Sequence, residues 1–282
     1  MPIFACIIYA TKIRVICVCY FYLFKRMKKI FFFAALVLFS AGCQKPHDPA
    51  VNDTSVPTGT LSLRFRMTGN GNPLLPYTPF RNALGYSTQI EALKCYLGDI
   101  KLIRTDGIIV PVQDVALVDF TKLDNPVLET KIPIGNYKGI LFGVGVPARY
   151  NNAGVVQNPT DHPLDHPLYP DEGMFWTWSS GYQFLKVEGK ADTSASQSGV
   201  LNYGFFYHLA TNALYDTRVI NNQNITIQKD TKNTHTINFE FNDFMVGNNY
   251  TLDMKTTPFN ETESNKVALS KAIIGNFRNA LK

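Results

Sequence analysis

Cysteine is scarce in the part of this 282-residue chain that could fold: Cys6, Cys17, Cys19 and Cys43 fall within the first 43 residues, and only Cys95 follows. A disulfide framework is therefore excluded beyond residue 43, and folding there must rely on a hydrophobic core. Acidic residues are missing from the same first 43 positions, which hold six of the 27 basic ones. Removing those six leaves 21 basic against 22 acidic groups, so the remainder is close to neutral. Nothing in that balance recommends nucleic acid or an anionic membrane surface as a partner. Hydrolase signatures are also absent: there is no Gly-x-Ser-x-Gly elbow, no glycine-rich phosphate loop after a strand and no His-Glu-x-x-His. These gaps leave no residues on which to build a catalyst, and the chain reads as a binding protein.

What is present begins with an address. From Met27 the sequence runs MKKIFFFAALVLFSAGC: two lysines, an apolar stretch over 30–39, then small residues leading into Cys43. That is the layout of a secretory signal peptide, and ten apolar residues fall well short of the roughly 20 that a membrane-spanning helix needs. Ser40-Ala41-Gly42-Cys43 resembles a bacterial lipobox, with Ser40 where leucine is usual. The expectation is a signal region over 1–42 with its true start at Met27, then a lipidated Cys43 and a tether through residue 59. The tether, QKPHDPAVNDTSVPTG, has no periodicity and is rich in Pro, Asp, Asn and Thr. The remaining 60–282 reads as one domain of the cell envelope, held by lipid and placed by expectation at the outer membrane.

Within that domain, Leu61, Leu63, Phe65 and Met67 alternate with Ser62, Arg64, Arg66 and Thr68, the pattern of a half-buried strand. Short alternating or apolar runs recur at 91–104, 108–119, 137–146, 182–189, 200–209, 224–229, 235–242 and 249–255, separated by Gly, Asn, Asp and Pro clusters. Many short strands without intervening helical periods predict an all-β fold, an antiparallel β-sandwich or jelly roll. Val267, Ile274, Phe277 and Leu281 recur at helical spacing and predict a C-terminal helix over 263–281 with Ser264 or Asn265 at its cap. Cys95 lies in the alternating run Leu93-Lys94-Cys95-Tyr96-Leu97 and reads as a buried structural thiol.

One stretch breaks the rhythm. Residues 147–181 (PARYNNAGVVQNPTDHPLDHPLYPDEGMFWTWSSG) carry five prolines, two of the five histidines and both tryptophans. Irregular loops of this length inside a compact domain are usually functional. His162 and His166 are four residues apart, but each precedes a proline, which favours extended backbone and denies them a shared helix face. A site joining one loop histidine to a strand histidine remains open, since imidazole suits copper and zinc where thiolates are lacking. His208, in Phe206-Tyr207-His208-Leu209, is that strand histidine; His47 and His235 read as solvated or structural. Met174, Trp176 and Trp178 alternate and would share one face of an extended segment. Such a cluster serves as core, as a sugar-stacking platform together with Tyr182, or as the surroundings of a metal.

Taken with Leu61-Ser62-Leu63-Arg64-Phe65 and Leu97-Gly98-Asp99-Ile100, the stretch HPLYPDEGMFWTWSSGYQFLKVEG (166–189) followed by Phe206-Tyr207-His208-Leu209 resembles the MbnP-like family of bacterial exported copper-binding proteins. The resemblance spans nearly the whole exported domain, and Met-x-Trp-x-Trp-x-x-Gly-Tyr-x-Phe is its most specific part. It implies a β-sandwich, a mononuclear copper site and, in some members, oxidation of a tryptophan to kynurenine by a partner dihaem enzyme of the cytochrome c peroxidase type. Carried over by position, it implies His166 and His208 as copper ligands, with Trp176 or Trp178 as the modified or adjacent aromatic. His162, in the same His-Pro-Leu context, is the natural substitute for His166. Some relatives place a histidine where this chain has Phe175. A glycan-binding or purely structural envelope lipoprotein without metal is the alternative.

The leader reading makes one prediction. Acyl chains contribute about 0.8 kcal/mol per buried CH₂, so the lipid on Cys43 is expected to supply the anchoring. Cys43→Ser should move the protein from the membrane to the soluble fraction on cell fractionation; retention in the membrane with an intact amino end would favour a signal anchor.

Overall fold

The structure is a computed structural model that describes residues 56–122, 127–151, 159–170, 173–176, 181–248, 250–262 and 266–282. Cys43, His47 and the whole leader and tether up to residue 55 lie outside the described residues, as do Trp178 and the expected cap residues Ser264 and Asn265.

The strands in chain order are β1 (Thr58–Gly69), β2 (Asn72–Pro73), β3 (Phe80–Arg81), β4 (Ser87–Arg104), β5 (Ile109–Asp119), β6 (Leu128–Pro133), β7 (Gly135–Val144), β8 (Phe175–Trp176), β9 (Gly181–Asp192), β10 (Tyr203–Ala210), β11 (Asp216–Ile227), β12 (Lys232–Glu240) and β13 (Phe259–Glu261). Among the described residues three α-helical segments, α1 (Ala148–Asn151), α2 (Phe241–Met245) and α3 (Val267–Ala280), and two 3-10 turns, Pro159–Asp161 and Asn212–Leu214, interrupt them. The small sheet sets β1 between β12 and β6, with β2 at its far end. The large sheet runs β11-β7-β4-β9-β10-β13, and β3, β5 and β8 pair onto it. The expected all-β architecture with a C-terminal helix is the one found. Most pairs are antiparallel, but β1 runs parallel to β12 and β10 parallel to β13.

The alternation of β1 has its predicted consequence: Leu61, Leu63 and Met67 are buried. Their cross-strand register, Leu63 opposite His235 and Met67 opposite Phe239, brings in a strand 172 residues further on. Phe239 is the centre of the aromatic core, with ring centroids of Phe277 at 4.8 Å, Phe120 at 5.4 Å and Phe244 at 5.7 Å. Helix α3 supplies Ile273, Ile274, Phe277 and Ala280 to this core, and the chain end returns along β12 through reciprocal backbone bonds between Asn238 and Lys282 of 2.9 and 2.8 Å.

One strand is added to the expected set and two local expectations are corrected. Residues 128–133 form β6, a short edge strand whose Leu128, Thr130 and Ile132 pair with β1, although their pattern is too brief to stand out by itself. The run through 241–242 does not continue as strand, because the Glu240 side chain accepts from the Asn242 amide and caps α2. Residues 249–255 contribute only the isolated bridge of Thr251 to Val246.

Strand β4 sets up everything near the candidate site. Along one edge it pairs first with β9, as far as Cys95 opposite Leu185, and then with β7, from Leu97 opposite Val144. Just beyond the transfer the register with β7 shifts between Gly98 and Lys101, a bulge that holds Asp99 in left-handed backbone at φ 52°. Gly98 is required there, since a Cβ would stand 2.7 Å from the Pro147 ring and 2.9 Å from the Tyr215 hydroxyl. Asp99 is rigidly held: Arg149 donates to Oδ1 at 2.7 Å and the Tyr215 hydroxyl to Oδ2 at 3.1 Å. Burial alone would raise the Asp99 pKa, but these donors outweigh it and hold the carboxyl below its ordinary value. The 147–181 insertion leaves the sheet after β7 and rejoins it at β9, on either side of this transfer point.

The core makes a direct prediction. Phe239→Ala removes a ring buried among four others and should cost about 3–5 kcal/mol of stability, measured by chemical denaturation.

Candidate metal centre

The described parts of the long insertion add buried residues to the hydrophobic core along the large sheet. Leu168 and Met174 are fully buried against Tyr182 and Phe184, which the β9 alternation points away from the main interior. The Tyr182 hydroxyl donates to the Leu168 carbonyl at 2.8 Å, and its ring meets Phe175 and Tyr96 edge-on at 5.0 and 5.6 Å. Burial pushes the Tyr182 hydroxyl up to about 12. At 1% exposure Tyr182 has no face free for a sugar, which removes it from the expected stacking platform. The start of the loop is pinned to its end: the Asn151 side chain accepts from the Tyr182 amide at 3.2 Å and donates to Asn212 at 2.9 Å. Gly181 turns the chain there at φ 76°, where a Cβ would sit 2.7 Å from Asn151 Oδ1.

The sequence-predicted histidines fall into two neighbourhoods. His162 and His166 stack, with centroids 4.3 Å apart and planes within 6°. His166 also borders a recess of about 140 Å³ lined by Asp114, Tyr150 and Pro167. Its Nδ1 accepts the Leu168 amide at 3.1 Å, so in the neutral ring the proton is on Nε2 and neither nitrogen offers a free lone pair in this arrangement. Burial first, and repulsion from His162 second, lower the His166 pKa and keep that ring neutral.

His208 stands on β10, on the outer face of the sheet and beside the loop core. The Trp176 indole, at the end of β8, lies 6.3 Å from the His208 ring, and Phe206 stacks on its other flank at 4.9 Å. Two carboxylates meet the ring: Glu188 Oε1 is 2.8 Å from Nε2 and Glu261 Oε1 is 3.5 Å from Nδ1. A carboxylate only accepts, so the short contact places a proton on Nε2, donated to Glu188. Lys186 adds its ammonium to Glu188 at 3.2 Å. Burial works against ionisation of Glu188, but the His208 hydrogen bond and Lys186 prevail and hold its carboxyl below the ordinary value. Because the carboxylates occupy opposite ring nitrogens, the three donors do not converge; among the described residues no group of three or more His, Cys, Asp or Glu does.

The structure thus brings Trp176 to His208 and His162 to His166, and among the described residues it gathers no histidine trio. Sequence reasoning missed both glutamates. Glu188 was legible in principle, since it alternates with Lys186 on the outer face of an evident strand. Glu261 carries no local signal: the parallel pairing of β13 puts it opposite His208 across 53 residues. Cys95 is wholly buried, and burial pushes its thiol up, so it offers no thiolate.

A family model described as MbnP matches residues 58–266. The chain belongs to the MbnP family. A solved MbnP from Methylosinus trichosporium is similar at 15% identity over 74% of this chain and 82% of that one, with a TM-score of 0.47. A comparison with curated proteins gives no match. The match to the MbnP family takes in the loop, β9, β10 and β13, and hence every residue named above around His208.

His235, the remaining described histidine, supplies a pH prediction. From β12 of the small sheet it hydrogen-bonds Gln223 of β11 in the large sheet at 2.8 Å, and burial lowers its pKa below the usual value near 6.5. The unfolded chain then takes up a proton before the folded one does, so this contribution to stability is whole above about pH 6.5 and is lost as the pH falls through the window below it. Denaturation midpoints measured between pH 7.5 and 5 should decline in the parent and decline less steeply in His235→Gln, with His166 supplying part of the remaining slope.

Proposed function

We propose that this MbnP-family chain is an exported, lipid-anchored protein of the cell envelope that binds one copper ion beside Trp176 and handles copper without catalysing a reaction of its own. Family membership supports a role connected with copper, and the observation that carries the location is His208: an imidazole with a tryptophan at 6.3 Å and two carboxylates on its ring nitrogens. Nitrogen and oxygen donors of this kind suit Cu(II), and the one cysteine among the described residues, Cys95, is buried. When bound, the ion supplies a single coordination centre to which the protein contributes orientation and charge.

His208 is the principal ligand in this reading. His166 joins it only by giving up the Leu168 amide, and His162, stacked on it, is the substitute. Trp176 or Trp178 is the position that a partner dihaem enzyme of the cytochrome c peroxidase type would convert to kynurenine. Unmodified indole has one N–H donor, whereas kynurenine adds an amine and a carbonyl able to meet a metal. Trp176 lies near enough to His208 for such a ring-opened side chain to share its ion.

Equilibrium dialysis of the mature protein with copper is expected to give one ion per chain, lost in His208→Ala and kept in His47→Ala and His235→Ala. Retention of copper by His208→Ala would overturn the location. Mass spectrometry of the peptide holding both tryptophans is expected to show ring opening in protein from the native host and intact indole in protein made without the dihaem enzyme. Intact indole in both, together with tight copper binding, would make the tryptophans packing around a simpler site; no copper binding at all would leave the glycan-binding or structural reading.

A further inference from the structure

The end of the domain that receives the tether exposes apolar side chains. The Ile134 amide donates to Pro57 O at 2.9 Å, which sets the turn between β6 and β7 beside the first described residues. The Thr105 amide donates to Asn136 O at 3.0 Å and the Arg104 amide to Ile108 O at 2.8 Å, which brings the hairpin of β4 and β5 to the same end. Val56, Ile108, Ile109 and Ile134 are 41%, 54%, 54% and 38% exposed there. Single exposed hydrophobes need no explanation, but a gathering of branched aliphatic side chains at one end marks a contact surface.

The charge of this end departs from the near-neutral balance of the exported part. Lys138 donates to Thr105 O at 3.4 Å, Lys131 lies opposite Thr60, and Lys229 precedes Asp230, whose amide donates to Thr58 O at 3.1 Å. Arg104 pairs with Asp106 at 3.2 Å, and Lys232 pairs with Glu129. The balance that remains is three exposed lysines against Asp230. Isoleucines ringed by ammonium groups suit the boundary of an anionic bilayer, where apolar tips enter the acyl region and the cations stay at the phosphates.

Chain length argues for the same occupant. The twelve residues 44–55 separate Cys43 from Val56. At no more than about 3.6 Å per residue, they keep Val56 within about 45 Å of an acylated Cys43 whatever their conformation. We propose that this end of the domain, with the Ile108–Ile109 hairpin tip, Ile134 and Val56, docks on the bilayer that holds the Cys43 acyl chains. This rests on the lipid-anchored reading above and deepens it by orienting the domain. Docking of a tethered domain is an intramolecular step, so a patch too small to recruit the protein from solution suffices once the anchor is inserted. The contact is interfacial, since no described helix is long and apolar enough to cross a membrane.

The orientation has a consequence for the loop. From the hairpin, β4 runs back to Lys94, which lies opposite Lys186 of β9, and Lys186 lies opposite His208. Eleven residues separate Thr105 from Lys94. At about 3.3 Å per residue they set His208 and Trp176 about 35 Å of strand away from the docked end, on the aqueous side.

The test reads membrane depth with nitroxide labels on the lipidated protein, reconstituted in vesicles of phosphatidylethanolamine and phosphatidylglycerol. The native Cys95 is buried, which directs labelling to an introduced cysteine. One label is carried by Thr105→Cys in the hairpin. A reference label is carried by Val200→Cys before β10, at the other end of β4, where Tyr203 lies opposite Ala191 and Ala191 opposite Thr88. A water-soluble nickel chelate is expected to relax the Thr105→Cys label at least about fivefold less than the Val200→Cys label, and Ile108→Ser/Ile109→Ser to bring the two within about twofold. Both serine changes fall at exposed positions, and a denaturation midpoint equal to the parent's checks that the fold is intact. Equal nickel accessibility at the two labels, in protein that floats with the vesicles, would overturn docking and leave the anchor standing. A concentration-dependent dimer of Cys43→Ser in sedimentation equilibrium, lost on Ile108→Ser/Ile109→Ser, would give the patch to a second copy and overturn it as well. Failure of the parent to float with the vesicles would sink the lipid anchor itself, and docking with it.

Discussion

The bulge at Gly98 and Asp99 is the constraint on which the candidate site depends. A strand of 18 residues cannot keep one partner along its whole edge once the sheet twists, and β4 resolves this by passing from β9 to β7. The gap between those two partners is where the long insertion leaves and re-enters. Asp99 then serves as its anchor, because its two oxygens bind Arg149 at the start of the loop and Tyr215 at the start of β11. Arg149 also reaches Asp114 at 3.6 Å and lies over the Tyr150 ring at 4.8 Å, so one guanidinium ties the loop to β4, to β5 and to its own helical turn.

This arrangement divides the molecule into two packed layers with different duties. The interior between the sheets, centred on Phe239, Phe120 and Phe277, holds the fold. The outer layer of Leu168, Met174, Tyr182 and Phe184 buries one end of the large sheet's outer face and stops short of His208. A histidine at that border has a packed aromatic wall on one side and ionised groups on the other. Its 15% side-chain exposure is low enough to fix the ring and high enough for an ion to reach it. Lys186 pairs with Glu188 at 3.2 Å and, with the His208 hydrogen bond, holds that carboxyl below its ordinary value.

The separation of His166 from His208 follows from the same layering. His166 sits in a turn whose own backbone amide at Leu168 occupies its Nδ1, and Leu168 in turn receives the Tyr182 hydroxyl. The loop histidine is thus part of the packing that seats the loop, and freeing it for a metal costs a hydrogen bond in the outer layer. His208 is held instead by carboxylates, Glu188 at 2.8 Å from Nε2 and Glu261 at 3.5 Å from Nδ1.

The sequence by itself determined the strand alternation of β1, β4 and β9, the position of the C-terminal helix, the burial of Cys95 and the identification of 147–181 as the segment of interest. Each of these is written in residues close along the chain, in periods of two or 3.6 that burial on one face imposes. The tertiary structure decided what no local period encodes: the parallel joining of β1 to β12, the handover along β4, and the arrival of Glu261 beside His208. Those pairings bring together residues from 53 to 172 positions apart. A short edge strand such as β13 has too few residues to show alternation, and its register comes from backbone bonds to β10 and the anchoring of Asn260 on α3. Trp176 and His208 were both visible as residues. That they share a neighbourhood, and that His166 does not join them, was settled by which side chains the loop needed for its own core.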